Sequence, residues 1–241
     1  MAQYVYGKNV VIQLLKDQHK IHDLYILEGA KHEEIIKLAQ KQKINIKRVD
    51  KKELDRIAKD RHQGVIAKID DYKLYDLHEL LAGIDMNDNP LLVMLDGIED
   101  PHNLGAILRS CDGVGANGVI IMKNRSVTLT ATVAKVSSGA IDTVKVAQVT
   151  NLTATIKDLK KKGFWVCGAD NNEALDYRAP DYKVPLVLVI GSEGFGISRL
   201  VKENLDYCVK LPMAGKLSSL NASVATGIML YRIYDHRHPL K

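Results

Sequence analysis

Apolar and polar positions in this 241-residue chain follow two periods in turn. Residues 7–18 place apolar side chains at 10, 11, 14 and 15, and residues 31–42 at 35, 36, 38 and 39, the spacing of one helix face. Residues 22–27, 44–49 and 64–69 read as strands, and residues 51–58 as a short helix. This predicts a small α/β domain over residues 1–70. Asp70-Asp71, a Leu-rich helical turn at 76–82 and Met86-Asn87-Asp88-Asn89-Pro90 then predict a linker at 71–89. Residues 90–241 resume the alternation, with strands at 91–96, 118–122, 144–147, 164–168, 184–190 and 207–211. Helices are predicted between and after them at 103–113, 129–137, 152–162, 197–204 and 221–234. Strands and helices at this spacing predict a second α/β domain, a largely parallel sheet covered on both faces. Ligands of such a sheet bind outside the carboxyl ends of its strands.

Composition narrows the class. Apolar residues at 46% and charged residues at 26% suit a globular protein and exclude disordered, collagen-like and low-complexity chains. Aromatics at 5% argue against a nucleic-acid binder built on many stacked rings. The start of the chain has no apolar core of a signal peptide, and the apolar runs 91–95 and 186–190 are too short to span a bilayer. Cys111, Cys167 and Cys208 are widely spaced and form no Cys-x-x-Cys pair, so neither a disulfide framework nor a zinc site is expected. The expectation is a reduced, cytoplasmic protein without a metal. Net charge is +5, and its location matters more than its size. Residues 37–68 hold eleven Lys/Arg against four Asp/Glu, net +7, which leaves the other residues at −2. The basic excess sits in the small domain, where it points to an anionic partner such as RNA.

Three strand ends carry unusual loops. After residues 91–96 comes an acidic loop, then a helix opened by Pro101 that carries Asn103, Gly105 and Arg109. A glycine in the first turns of a helix is costly unless something approaches closely, and a planar Arg one turn beyond it suits a phosphate. After residues 184–190 comes Gly191-Ser192-Glu193-Gly194-Phe195-Gly196, with Ser198 as a helix N-cap. Its glycine order is not that of the dinucleotide fingerprint, and a carboxylate within it repels phosphate, favouring a hydroxyl, amine or cation. After residues 207–211 come Pro212, Met213, Gly215 and Ser218-Ser219-Leu220-Asn221-Ala222-Ser223. Ser218 or Ser219 would cap the following helix, with Asn221 and Ser223 in its first turns.

Together these segments resemble the SpoU-type RNA 2′-O-methyltransferases, the trefoil-knotted SPOUT class. The first motif of that family matches Asn103-Leu104-Gly105-Ala106-Ile107-Leu108-Arg109. The second matches Gly191, Glu193 and Gly196, and the third Pro212, Met213, Gly215, Ser219, Leu220, Asn221, Ser223 and Ala225. Ala222 departs from the family's usual Val, which puts nothing catalytic in doubt. Val5-Tyr6-Gly7 and His62-Gln63-Gly64-Val65 resemble the substrate-binding domain of the rRNA guanosine branch, itself similar to L30e/L7Ae-type RNA binders.

The resemblance implies a deep trefoil knot in the C-terminal domain and a homodimer formed through it. It also implies methyl transfer from S-adenosylmethionine, without metal, to a guanosine ribose 2′-hydroxyl of structured RNA. The substrate would be 23S rRNA, with tRNA the alternative. Arg109 would hold the phosphate and stabilise developing alkoxide charge, since an Arg is almost always protonated. Asn103 would fix the loop or substrate, and Glu193 would orient the target nucleotide or Arg109. Ser219, Asn221 and Ser223 would order the site. Ile190, Gly191, Leu211, Met213, Gly215 and Leu220 would surround the cofactor, and Lys8, Lys47, Arg48, Arg61 and His62 would contact RNA. Two rivals remain at this stage. A nucleotide-dependent oxidoreductase lacks its glycine fingerprint, and a non-catalytic RNA-binding protein would not need Arg109, Glu193 and Asn221 together.

Overall fold

The computed structural model describes residues 2–16, 18–58, 62–170, 174–216 and 219–239. The chain forms two compact units, Met1–Tyr72 and Lys73–Lys241.

The first unit runs β1 (Ala2–Tyr6), α1 (Lys8–Lys16), β2 (Ile21–Leu27), α2 (Glu33–Lys41), β3 (Asn45–Val49), α3 (Lys51–Ile57) and β4 (Val65–Asp70). Its sheet has the order β1-β4-β2-β3; β2 and β3 are parallel, and β4 is antiparallel to both of its neighbours. The periodicity did not predict β1. Its signal is short, a buried Val5 between exposed Tyr4 and Tyr6, and pairing with β4 supplies the rest.

The second unit opens within the segment 71–89 expected to be a linker, and the helical turn expected at 76–82 is present and packs on the core. Residues Leu77–Leu81 form α4, started by a capping box in which Asp76 and Glu79 exchange side-chain and backbone hydrogen bonds. Leu80 is 1% exposed in the core of this unit, a burial worth about 2 kcal/mol. Just before it, the backbone of Tyr75 pairs with Ala147 at the sheet edge. The Asp-x-x-Glu spacing and the apolar positions 77, 80, 81 and 84 were the available signal.

Next come β5 (Leu91–Asp96), α5 (Pro101–Gly113), β6 (Gly118–Met122), α6 (Ala131–Ser137), α7 (Ala140–Thr143), β7 (Val146–Val149), α8 (Leu152–Lys161) and β8 (Trp165–Ala169). The chain finishes with β9 (Leu175–Asp176), β10 (Leu186–Gly191), α9 (Arg199–Lys202), β11 (Tyr207–Lys210) and α10 (Ala222–Arg237). All pairings in this seven-stranded sheet are parallel, and its order is β7-β6-β5-β10-β8-β11-β9. Every residue of β5 is buried, as an apolar strand covered on both faces must be. One face packs Leu92, Met94, Val187 and Val189 under α4, α8 and α9. The predicted helix 129–137 ends where Ser138 and Gly139 turn left-handed, and α7 follows.

Gly105 shows what the close approach on α5 is. A Cβ there would lie 2.7 Å from Val136 Cβ and 2.9 Å from the Val133 carbonyl oxygen, so α6 takes the space expected for a ligand. All three cysteines are free. Burial pushes the Cys167 thiol up to about 12 and raises Cys111 as well, leaving no thiolate nucleophile near neutral pH. No helix among the described residues is long and apolar enough to cross a membrane.

Candidate active site

Parallel register aligns the strand ends. Gly191 lies beside Asp96 on β5, and Ile190 beside both Leu95 and Ala169. The loops leaving β5, β10 and β11 therefore converge on one side of the sheet. Asp100 accepts a hydrogen bond from the His102 N–H at 2.8 Å and starts α5, with Pro101 in its first turn. That puts Asn103, 6% exposed, at the entrance of the helix facing the other two loops.

There the three motifs join. Asn103 Nδ2 donates to Glu193 Oε1 at 3.1 Å, and Asn221 Nδ2 donates to Asn103 Oδ1 at 2.9 Å. Asn221 Nδ2 also donates to Glu193 Oε1, and the Ala222 N–H reaches the same oxygen at 3.4 Å. The other end of the Asn221 amide caps α10: its Oδ1 accepts from the N–H groups of Ser223 at 3.0 Å and Val224 at 3.3 Å. The Ser223 hydroxyl donates to that oxygen at 2.6 Å. The N-cap is thus Asn221, not Ser219, and Ser223 acts through Asn221. Ser218, the other residue expected to cap, lies outside the described residues. Glu193 sits at the positive end of the α10 dipole with its Oε1 surrounded by donors, so it orders the loops. It makes no hydrogen bond or ion pair to Arg109 among the described residues. Arg109 is exposed six residues further along α5 and is joined to no described residue by a hydrogen bond or ion pair.

The glycine loop is pinned from below. The Ser198 N–H donates to Asp96 Oδ2 at 2.7 Å, a carboxylate only 8% exposed. Ser198 precedes α9 but makes no side-chain cap. Sequence reasoning placed Asp96 at the end of the strand 91–96 and gave it no role. Its place as the last residue of a buried apolar strand was the signal that it faces inward.

Beside the cluster lies a cavity of about 400 Å³. Ile190, Gly191, Leu211, Met213 and Leu220 line it as expected, together with Glu193 and Ser219. Gly215 does not: it stands exposed on the loop, and a Cβ there would meet nothing within 4 Å. Gly191 is where the wall is tightest, since a Cβ would lie 2.1 Å from the Gly196 carbonyl carbon and 2.3 Å from the Ile197 nitrogen. Sequence reasoning missed Asp170, at the end of β8, whose carboxylate is paired with Lys202 at 3.1 Å. Among the described residues that line it none is basic, and Asp170 and Glu193 are acidic.

In the first unit the residues expected to touch RNA divide. Lys8 is exposed and lines a cavity of about 470 Å³ with Lys31, His32 and Lys37. Arg48 is exposed and donates to the Ala30 carbonyl at 3.2 Å. Lys47 is paired with Asp23 at 2.9 Å and lies over the Tyr25 ring. His62 is a correction: it is 6% exposed and both ring nitrogens are engaged, Nε2 with Asp55 at 2.9 Å and Nδ1 accepting from the Gly64 N–H at 2.9 Å. It holds the turn into β4 and is not a surface contact. Arg61 lies outside the described residues.

A parallel sheet whose carboxyl-end loops border a cavity with mixed polar and apolar walls is the arrangement in which α/β proteins bind small ligands. Comparison with known proteins gives the family. The SpoU rRNA Methylase family profile matches residues 90–231, and the RNA 2′-O ribose methyltransferase substrate binding profile matches residues 4–75. The chain is 48% identical over 241 residues to the Bacillus subtilis (strain 168) protein YacO, assigned to the TrmH family of tRNA/rRNA methyltransferases; the match covers 98% of this chain and 97% of that one. The fold resembles the AdoMet-bound rRNA methyltransferase of Sinorhizobium meliloti, with TM-score 0.69 and 26% identity over 100% of this chain and 88% of the other. It also resembles the TrmH/SpoU tRNA modifying enzyme of A. aeolicus, with TM-score 0.58 and 31% identity over 67% and 80%. The chain belongs to the SpoU/TrmH family of RNA methyltransferases.

Proposed function

We propose that this protein transfers the methyl group of S-adenosylmethionine to the ribose 2′-hydroxyl of a guanosine in structured RNA, most specifically 23S rRNA. The observation that carries this reading is the joining of three distant motifs, Asn103, Glu193 and Asn221, into one hydrogen-bonded cluster on the rim of a cofactor-sized cavity. The cavity fits the cofactor. Its apolar walls at Ile190, Leu211, Met213 and Leu220 suit an adenine, and the bare backbone at Gly191 allows close approach. The lining, with Asp170 and Glu193 and no basic group among the described residues, favours a cationic sulfonium over a phosphate. When bound, S-adenosylmethionine supplies an already activated methyl, so no metal is needed.

The remaining task is to position and deprotonate a weakly nucleophilic hydroxyl. The cluster fixes the loops in which acceptor and donor meet, and in-line placement accounts for much of the rate. Arg109, exposed and unattached to described residues, holds the adjoining phosphate and stabilises alkoxide charge as it develops. α10 presents Val224, Ile228 and Tyr231, 49%, 38% and 55% exposed, at helical spacing. That unpartnered stripe supports a homodimer through the C-terminal domain. The sheet order, with β10 between β5 and β8, is compatible with the family's trefoil knot. The guanosine and rRNA choice rests on the resemblance of the N-terminal motifs, and tRNA is the second reading. A cytoplasmic location follows from such substrates.

Mapping 2′-O-methyl groups on rRNA and tRNA from cells with and without the protein tests the reading. One guanosine of 23S rRNA should lose its methyl in the deletion. Loss confined to tRNA would select the second reading, and no loss anywhere would overturn both. RNA affinity of the intact protein should fall steeply between low and physiological salt. Lys8→Ala should lower the log–log salt slope by about 0.7–0.9 without changing affinity for S-adenosylmethionine. A flat salt profile in a binding titration would reduce the basic tract to a solvated surface.

A further inference from the structure

Phe195 is 96% exposed, whereas Leu200, the next most exposed large apolar side chain among the described residues, is 57% exposed. The ring is not on a loose loop. The Ser192 N–H donates to the Gly196 carbonyl at 3.1 Å, the Gly196 N–H to the Ser192 carbonyl at 2.9 Å, and the Phe195 N–H to Ser192 Oγ at 3.3 Å. Two residues earlier, Glu193 is fastened to Asn103 and Asn221. Glycines stand on either side, and at 96% exposure both faces of the ring are open. A flat, uncharged, desolvation-ready surface is thus held at a fixed place beside the cluster and the cavity.

We infer that Phe195 is a stacking platform for a base of the RNA substrate, at or next to the methylated nucleotide. The inference rests on the RNA-methylation reading above and adds a substrate contact to it. A 2′-hydroxyl can reach the strand-end cluster only when its nucleotide leaves the helical stack, and an unstacked base needs a replacement surface. Aromatic side chains supply it without regard to base identity. The cofactor is the poorer occupant. Phe195 stands on the rim of the cavity, but at 96% exposure its ring packs on none of the walls, and the apolar surface inside is provided by Ile190, Leu211, Met213 and Leu220.

The test compares wild type, Phe195→Ala and Phe195→Tyr with labelled S-adenosylmethionine. The RNA is rRNA and tRNA from cells lacking the protein, then a synthetic RNA spanning the mapped site, intact or with an abasic nucleotide there. Phe195→Ala should lower kcat/KM for RNA about tenfold to a hundredfold, with affinity for S-adenosylmethionine and subunit mass unchanged, and Phe195→Tyr should restore it. On abasic RNA the Phe195→Ala effect should vanish, which a purely structural role would not produce. Additive losses, a parallel fall in cofactor affinity, a changed oligomeric state or an unchanged kcat/KM would each overturn the inference. If the wild type methylates no RNA, the parent reading fails, and binding decides the inference separately. In a Trp165→Phe background, which removes the single Trp, the fluorescence of Phe195→Trp should be quenched by rRNA or tRNA from cells lacking the protein; absence of quenching by both overturns stacking.

Discussion

Arg109→Ala is expected to lower methyl transfer by a factor of about 10² to 10³, the usual cost of removing one group that stabilises charge in the transition state. Affinity for S-adenosylmethionine should stay at the wild-type value, because Arg109 is not among the residues lining the cavity. Stability should stay within about 0.5 kcal/mol, since the side chain is exposed and joined to no described residue. Arg109→Lys should recover little, because a point charge does not reproduce the two-pronged hold of a guanidinium on a phosphate. Labelled-methyl incorporation, calorimetric cofactor binding and a thermal melt separate these outcomes. Turnover retained in Arg109→Ala would remove the residue from the reaction.

Gly191→Ala should act in the opposite way, through the cofactor and the fold. The added methyl would sit 2.1 Å from the Gly196 carbonyl carbon and 2.3 Å from its oxygen and from the Ile197 nitrogen. Alanine has no rotamer with which to escape, and the obstacle is backbone, so the loop itself must shift. We expect a loss of about 1–3 kcal/mol in stability and a melting temperature lower by several degrees. Affinity for S-adenosylmethionine should fall at least about a hundredfold, since the displaced loop forms one wall of the cavity. Gly215→Ala is the matched control. Its Cβ meets open space, so both quantities should remain unchanged. Equal behaviour of the two variants in calorimetry and melting would sink the argument.

The strand-end loops could be read from the sequence because their residues break local rules. A helix that begins with Asn103 and Gly105, or a strand that runs into Gly191, Glu193 and Gly196, needs an explanation that neighbouring residues do not provide. Periodicity also located the six longer strands of the parallel sheet, since β5 and β10 are uninterrupted apolar runs. It could not assign partners across the chain. Nothing near Asn221 in sequence says that its amide divides between capping α10 and holding Glu193, and nothing near Gly105 says that α6 fills the space beside it. His62 misled for the same reason: a histidine beside Gln63 and Gly64 reads as surface until Asp55 is found on its ring. β9 failed because two residues carry no pattern, and β1 because it presents a single buried apolar residue, Val5, between exposed Tyr4 and Tyr6.

The Asn221 amide also sets a timetable. Its bond to Asn103 spans 118 residues of chain, and that between Asn103 and Glu193 spans 90. Contacts so distant in sequence form only after the intervening chain has folded, because their loop-closure cost is not repaid locally. The residue that completes the cluster is also the N-cap of α10, which is made after every other described helix. During synthesis the first unit, with its basic tract, is therefore present while the cluster is still open. The protein becomes competent only when α10 has nucleated on Asn221, so a chain truncated before that helix would hold RNA without an assembled site.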